Sequence, residues 1–167
     1  MPELPEVETT RAGLAPHVLG RTIHHVLLRR PDLRWPIPAE VPDLLPGRRI
    51  EAIRRRAKYL LLVTDAGSAL LHLGMSGSLR VLAPDVPVRA HDHVDMTLDS
   101  GQVLRFNDPR RFGCLLWQAP GTTHDLLRDL GPEPLDDAFD GDHLFFASRG
   151  RRAPVKTFLM DQRIEGI

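Results

Sequence analysis

The stretch RRRAKYLLLVTDAGSALLHL, residues 54–73, decides the fold. Two apolar runs rich in leucine, Tyr59–Thr64 and Ala69–Leu73, are separated by the turn-forming Asp65-Ala66-Gly67, so the segment reads as two strands of an antiparallel pair. Lys58 enters the first run, and a lysine in that position stands either at a strand edge or in a site. Upstream, Arg49–Arg56 reads as a strand feeding the pair, and Arg21–Arg30 as an earlier one. Downstream, Leu79–Leu82 follows a Gly-Met-Ser-Gly segment. Val94, Met96 and Leu98 alternate with polar residues, Asp99-Ser100-Gly101 turns the chain, Val103–Phe106 returns, and Phe112–Trp117 is the last good strand. About eight short strands with Gly and Pro turns predict an antiparallel sandwich or barrel.

Residues 5–19 read as a helix with Val7, Leu14 and Val18 on one face and Gly20 closing it. Five prolines between Pro31 and Pro46 predict an irregular surface loop there. The character of the chain changes near Gly131. Thr122–Leu130 reads as a helix stopped by Gly131-Pro132, and His143–Ser148 and Val155–Ile164 as short helices flanking the basic loop Arg149-Gly150-Arg151-Arg152. Some 35 residues with so few apolar side chains cannot make a core. Residues 1–131 are therefore expected to form one domain, and 132–167 a linker and the first helices of another. The whole is expected to be the N-terminal piece of something longer.

With 167 residues, 42% of them hydrophobic, the chain can build one ordinary core. Lysine plus arginine and aspartate plus glutamate each number 22, so bulk charge gives no support to a nucleic-acid partner. Local charge does. Arg48, Arg49, Arg54, Arg55, Arg56 and Lys58 form one basic group, Arg105, Arg110 and Arg111 a second, and Arg149, Arg151, Arg152 and Lys156 a third. The single cysteine, Cys114, excludes an internal disulfide and a cysteine-based zinc site in this chain. There is no apolar run of about 18 residues, and the acidic N-terminus is the wrong start for a signal peptide. A cytoplasmic protein with no membrane partner is expected.

Four features carry chemistry. A small residue such as Pro2 lets the initiator methionine be clipped, leaving a secondary amine in the range where α-amino groups titrate, roughly 7.7–8.0. Such an amine can attack an aldehyde-like carbon, and the iminium that proline forms stays cationic at any pH. Glu3 and Glu6 are close enough to move protons, although acidic residues in a first helical turn are also favoured by the helix dipole alone. The segment Asp108-Pro109-Arg110-Arg111-Phe112-Gly113 joins a turn start to arginines that can bond a base edge or phosphate and an aromatic that can wedge into a base stack. Met75, between Gly74 and Ser76, is unusual as a loop methionine. His72, His91 and His93 with Asp92 and Asp95 suggest metal ligands, but the spacing matches no standard zinc pattern, and no metal is expected.

The stretches PELPEVET (2–9), RRAKYLLL (55–62), HLGMSGSLR (72–80), HDHVD (91–95), DPRRFG (108–113), LGPEPL (130–135) and KTFLMDQRIEGI (156–167) together resemble the bacterial formamidopyrimidine-DNA glycosylases, in order and along the whole chain. The sister endonuclease VIII branch is less similar, because glycine usually stands where this chain has Leu4. The resemblance implies a mainly β fold: a two-layer antiparallel β-sandwich with an N-terminal helix, followed by the start of a helix–two-turns–helix domain. It also implies base-excision repair, with glycosylase and AP lyase (β,δ-elimination) activity on oxidised purines such as 8-oxoguanine and formamidopyrimidines. Pro2 would be the nucleophile, Glu3 the proton-transfer residue, Glu6 a residue holding the site, and Lys58 and His72 contacts to phosphate beside the lesion. His91 would be a further DNA contact. Met75, Arg110 and Phe112 would fill the gap left by the flipped nucleotide, with Arg110 reading the opposite cytosine. The implied partner is double-stranded DNA with an oxidised base, bound by a monomer in the bacterial, nucleoid-associated cytoplasm. The family's phosphate-contacting asparagine and its four-cysteine zinc finger would lie beyond Ile167, so one zinc is expected there and none here. The piece alone is expected to bind DNA weakly and to be weak or inactive as an enzyme. The alternatives are a non-catalytic DNA-binding fragment, or an endonuclease VIII-like enzyme for oxidised pyrimidines.

Overall fold

A computed structural model describes residues 1–166 and divides eight strands into two antiparallel sheets of four. In chain order the elements are α1 (Leu4–Val18), β1 (Ile23–Leu28), α2 (Glu40–Leu44), β2 (Ala52–Arg56), β3 (Tyr59–Thr64), β4 (Gly67–His72), β5 (Ser78–Leu82), β6 (Asp92–Leu98), β7 (Val103–Asn107), β8 (Cys114–Gln118), α3 (Asp125–Arg128), α4 (Gly141–Ser148) and α5 (Val155–Leu159). One sheet runs β1-β6-β7-β5 and the other β2-β3-β4-β8. Between them lies the main core, with Ile23, Leu60, Leu62, Leu71, Met96, Phe106 and Leu115 fully buried.

The β3 run Leu60-Leu61-Leu62 is continuous rather than alternating because both faces of its sheet are covered. Leu60 and Leu62 enter the main core, while Leu61 and Leu70 meet Leu127 of α3 on the other face. β2 and β3 are joined by the two-residue connection Ala57-Lys58, with Arg56 paired to Tyr59. Ala57 adopts φ +52°, the left-handed region that favours glycine. What holds it there is a carboxylate: Glu133 Oε1 accepts the Ala57 N–H at 2.6 Å.

α1 begins with a reciprocal capping box between Glu3 and Glu6 and buries Leu4, Val7, Leu14 and Val18. These four positions share one side of the helix, which lies against the sandwich.

Three expectations need correction. The proline-rich segment 31–46 is not merely a surface loop. Leu33, Ile37, Val41 and Leu45 recur every fourth residue and are all buried, and α2 forms within the segment. Pro42 is tolerated because it sits in the first turn, where its missing N–H has no intrahelical partner to lose. The helix expected over Thr122–Leu130 shrinks to the single turn α3. Gln118 Oε1 accepts the His124 N–H, and His124 Nδ1 accepts the Leu126 N–H, so the chain turns up to His124 before the helix starts. The helix expected over Val155–Ile164 ends at Leu159. Ile164 then returns to a buried position against Gly131, whose Cβ, if it had one, would stand 2.6 Å from the Ile164 carbonyl carbon.

Candidate nucleic-acid interface and active site

The start of α1 and the β2–β3 turn bring the first candidate group together. Glu6 accepts the backbone N–H of Glu3 at 3.0 Å and so fixes where the terminus leaves the helix. Glu3 in turn places Oε2 2.5 Å from Lys58 Nζ, an ion pair across 55 residues of chain in which the lysine side chain is only 16% exposed. Pro2 and Lys58 line one hollow of about 260 Å³ with Met1, Tyr59, His72, Gly74, Met160 and Gln162. An amine, a carboxylate and a held ammonium at one corner are the groups needed to form and break a Schiff base. Pro2 qualifies only once Met1 is removed, because a peptide nitrogen has no free lone pair.

His72 closes β4 beside this hollow. Its Nδ1 accepts the Gly74 N–H at 2.9 Å, so the neutral ring carries its proton on Nε2 and presents a donor. Burial, and then the nearby Lys58 and Arg34 cations, push its pKa down to about 4. The fold therefore favours the neutral ring, and protonation opposes folding. This contribution, about 3 kcal/mol, is complete above the ordinary histidine value of roughly 6.5 and is lost as pH falls toward the folded value. An NMR titration of the ring should show a midpoint near 4. A midpoint near the ordinary value would mean that the ring is not buried beside the Tyr59 ring, whose centre lies 4.8 Å from its own, and near the two cations.

A larger groove of about 610 Å³ adjoins the hollow, sharing Met1, His72 and Gly74 with it and adding Leu33, Arg34, Met75, Arg110, Arg111 and Phe112. Met75 and Phe112 are 40% and 45% exposed, an unusual state for large apolar side chains standing together. The Arg110 guanidinium lies over the Phe112 ring, 4.8 Å from its centre. Two exposed apolar side chains and a cation on adjacent turns make a wedge able to enter a base stack.

Pro2, Lys58, His72, Met75, Arg110 and Phe112 thus line two connected clefts, with Glu3 and Glu6 bracing the terminus beside them. His91 is not among the residues lining either cleft. It sits at φ +71° with its ring 6.2 Å from that of His93. Sequence reasoning missed Tyr59, Arg34, Met160 and Gln162. Tyr59 adjoins Lys58 and Gln162 falls in a quoted motif, whereas Arg34 was hidden in the proline-rich segment.

Asp92 and Asp95 are committed to the arginines of the sandwich. Asp95 bonds Arg105 at 2.8 Å and Arg29 at 2.7 Å, and Asp92 accepts the Arg89 N–H at 2.7 Å and the Asn107 amide at 2.8 Å. Burial alone would raise both carboxyls, but these partners hold them below the usual carboxylate range. Among the described residues no group of three or more His, Cys, Asp or Glu is arranged to hold a metal ion. Cys114 is buried, and burial pushes its thiol up to about 12, so it is a poor ligand. A four-cysteine zinc site does not fit these residues.

The family model of the formamidopyrimidine-DNA glycosylase N-terminal domain matches residues 1–115. The formamidopyrimidine-DNA glycosylase of Stenotrophomonas maltophilia (strain K279a) is 76% identical over 164 residues, covering 98% of this chain and 61% of the relative. The chain therefore spans about three-fifths of the length of the curated relatives it matches. The crystal structure of the MutM (Fpg) protein from Thermus thermophilus superposes with a TM-score of 0.83 at 40% identity, covering 98% of this chain and 59% of that one. The Lactococcus lactis Fpg in complex with DNA containing an abasic site gives 0.89 at 29% identity, covering 98% and 62%. A matched domain over more than half the chain and the observed sandwich agree: this chain belongs to the formamidopyrimidine-DNA glycosylase family.

Proposed function

We propose that the protein is a base-excision repair glycosylase with AP lyase activity, acting on oxidised purines in double-stranded DNA. The carrying observation is the corner where Pro2 and Lys58 share one hollow, with Glu3 ion-paired to Lys58, opening onto the groove that holds Met75, Arg110 and Phe112. The Lactococcus lactis relative is bound to abasic-site DNA, which is the chemical product of base removal.

The target carbon is inaccessible in a stacked duplex, so the nucleotide must be flipped out, at a cost of a few kcal/mol in unstacking. Met75, Phe112 and Arg110 fill the vacated space and offset part of that cost. The Pro2 nitrogen lone pair attacks C1′, and the electrons of the glycosidic bond leave with the base. The Glu3 carboxylate takes the proton that the newly alkylated Pro2 nitrogen must lose and delivers it to the sugar ring oxygen as the C1′–O bond of the ring breaks, which leaves a cationic iminium at C1′. The iminium withdraws electrons from C2′, whose proton is then removed as the C3′–O bond breaks and the 3′ phosphate departs. A second elimination releases the 5′ phosphate. Lys58 and the Nε2–H of His72 hold the phosphates beside the lesion. Residues 1–131 would carry this chemistry and 132–167 would begin a second unit that grips DNA. No step in this chain's own chemistry is routed through a metal.

Borohydride trapping on a duplex with 8-oxoguanine opposite cytosine tests the proposal, once mass spectrometry shows that Met1 is gone. A covalent protein–DNA adduct is expected. An adduct seen only when the chain is joined to the remaining length of its relatives would place the chemistry here and the grip elsewhere. No adduct from either form would rule the proposal out.

A further inference from the structure

We propose that Ser76 and Asp108 are positioning residues that fasten the Met75 turn to the Arg110–Phe112 turn, so that the three side chains enter DNA as one rigid wedge. This rests on the function proposed above. Asp108 is completely buried, and among the described residues it forms no ion pair. Its two carboxylate oxygens serve the two turns instead. Oδ1 accepts the Ser76 hydroxyl at 2.8 Å, and Oδ2 accepts the Gly113 N–H at 2.8 Å. The Ser76 oxygen also accepts the Arg110 N–H at 3.1 Å. Both turns are therefore bonded through the two oxygens of one side chain. The Asp108 backbone is itself anchored, since its carbonyl meets His93 Nε2 at 2.9 Å and its N–H donates to the His91 carbonyl at 3.1 Å.

The backbones of the two turns also touch directly. Gly74 has φ +62°, and a Cβ there would stand 2.5 Å from the Phe112 carbonyl carbon. A Cβ on Gly113 would meet the His72 carbonyl oxygen at 2.5 Å and Asp108 Oδ2 at 2.9 Å. Neither position has room for any other residue. The working side chains thus face outward while Asp108 and the close backbone contacts that fix their spacing are buried behind them. Two turns that hinged separately would each have to be ordered on binding, which weakens association. One fused body needs no such ordering.

Two measurements on Ser76→Ala and Ser76→Thr, the second of which keeps the hydroxyl, test the coupling. In the free protein, Ser76→Ala should speed amide exchange about tenfold or more at Gly77 and Gly113 as well as at Arg110, with Leu70 and Leu71 of β4 unchanged. Ser76→Thr should restore the slow exchange. Acceleration at Arg110 alone, the direct partner of the lost hydroxyl, would show that the turns are not coupled and overturn the proposal. In binding to an abasic-site duplex, the losses from Met75→Ala and Phe112→Ala should be non-additive by about fivefold or more with Ser76 present, and additive in Ser76→Ala. Equal non-additivity in both backgrounds would also overturn it. If the unmodified protein does not prefer an abasic-site duplex to an intact one, the proposed function fails and the wedge with it. The exchange result would then separately report whether the turns are fused.

Discussion

A chain that keeps Met1, made by exchanging Pro2 for leucine so that the initiator is not clipped, is expected to lose its borohydride-trapped adduct on abasic-site DNA by on the order of a thousandfold, about 4 kcal/mol of barrier. The nitrogen of residue 2 would then be an amide, its lone pair delocalised into the carbonyl and useless for attack. A freed α-amino group is partly unprotonated near neutral pH and is a nucleophile. Pro2→Gly separates nucleophilicity from the special property of proline. With Met1 removed it offers a primary amine, which still forms a trappable adduct. That adduct is a neutral imine once deprotonated, and only its protonated form draws electrons from C2′. The proline iminium has no proton to lose. Pro2→Gly should therefore trap DNA but cut the strand progressively less well as pH rises, while the unmodified terminus does not show that fall. Measuring trapping and strand cleavage side by side from mildly acidic to mildly basic pH distinguishes the cases. Undiminished trapping by the Met1-bearing chain would move the Schiff base to the Met1 amine or to Lys58, which line the same hollow, and would remove Pro2 from the chemistry.

What could be seen in the sequence depended on how local the determining interaction was. The β3–β4 pair was legible because its apolar runs and its turn are contiguous, and Tyr59–Thr64 forms the strand as bounded. The 31–46 segment was not legible as core. Its prolines signal a loop, whereas the fourfold spacing of Leu33, Ile37, Val41 and Leu45 only gains meaning once a sheet is there to bury them. The site divides in the same way. Pro2, Lys58 and the Asp-Pro-Arg-Arg-Phe-Gly segment could be picked out as residues. The Glu3–Lys58 ion pair could not, because it joins an N-terminal cap to a hairpin turn far along the chain. The neutral state of His72 depends on burial and on Lys58 and Arg34, none of them its sequence neighbours. Asp108 reads in the sequence only as a turn former, and the two hydrogen bonds it accepts from Ser76 and Gly113 are a property of the folded pair of turns. The motif LGPEPL marked Glu133 without saying what it holds.

That last residue is where stability and function meet. Glu133 Oε1 accepts from Arg56 at 2.9 Å and from the Ala57 N–H at 2.6 Å, and Oε2 lies 2.6 Å from Arg55 Nη1 as a charge-to-charge contact rather than a directed hydrogen bond. Glu133→Ala would strip the carboxylate that holds Ala57 at positive φ and leave two arginines short of a counter-charge. Removing one partner of a fully buried ion pair costs about 3–5 kcal/mol, and the half-buried Glu133 puts the loss here at the lower end. Arg55 keeps Glu8 at 2.9 Å, and Arg56 keeps the Leu130 and Gly131 carbonyls. Denaturant unfolding should show this loss. Burial alone would raise the Glu133 carboxyl, but the Ala57 N–H and the two arginines hold it below its ordinary value of 4.5. Its contribution is therefore complete above that value and lost as pH falls through the lower folded one. Glu133→Gln, which keeps an acceptor but no charge, should be destabilised at neutral pH and converge on the unmodified chain in acid. Lys58 is the next residue after Ala57, so a relaxed turn also lets its ammonium drift from Glu3. Glu133→Ala should thus lower adduct formation under conditions where the variant is still folded. A variant that unfolds more easily yet traps DNA at the full rate while folded would show that Glu133 stabilises the fold but does not place Lys58.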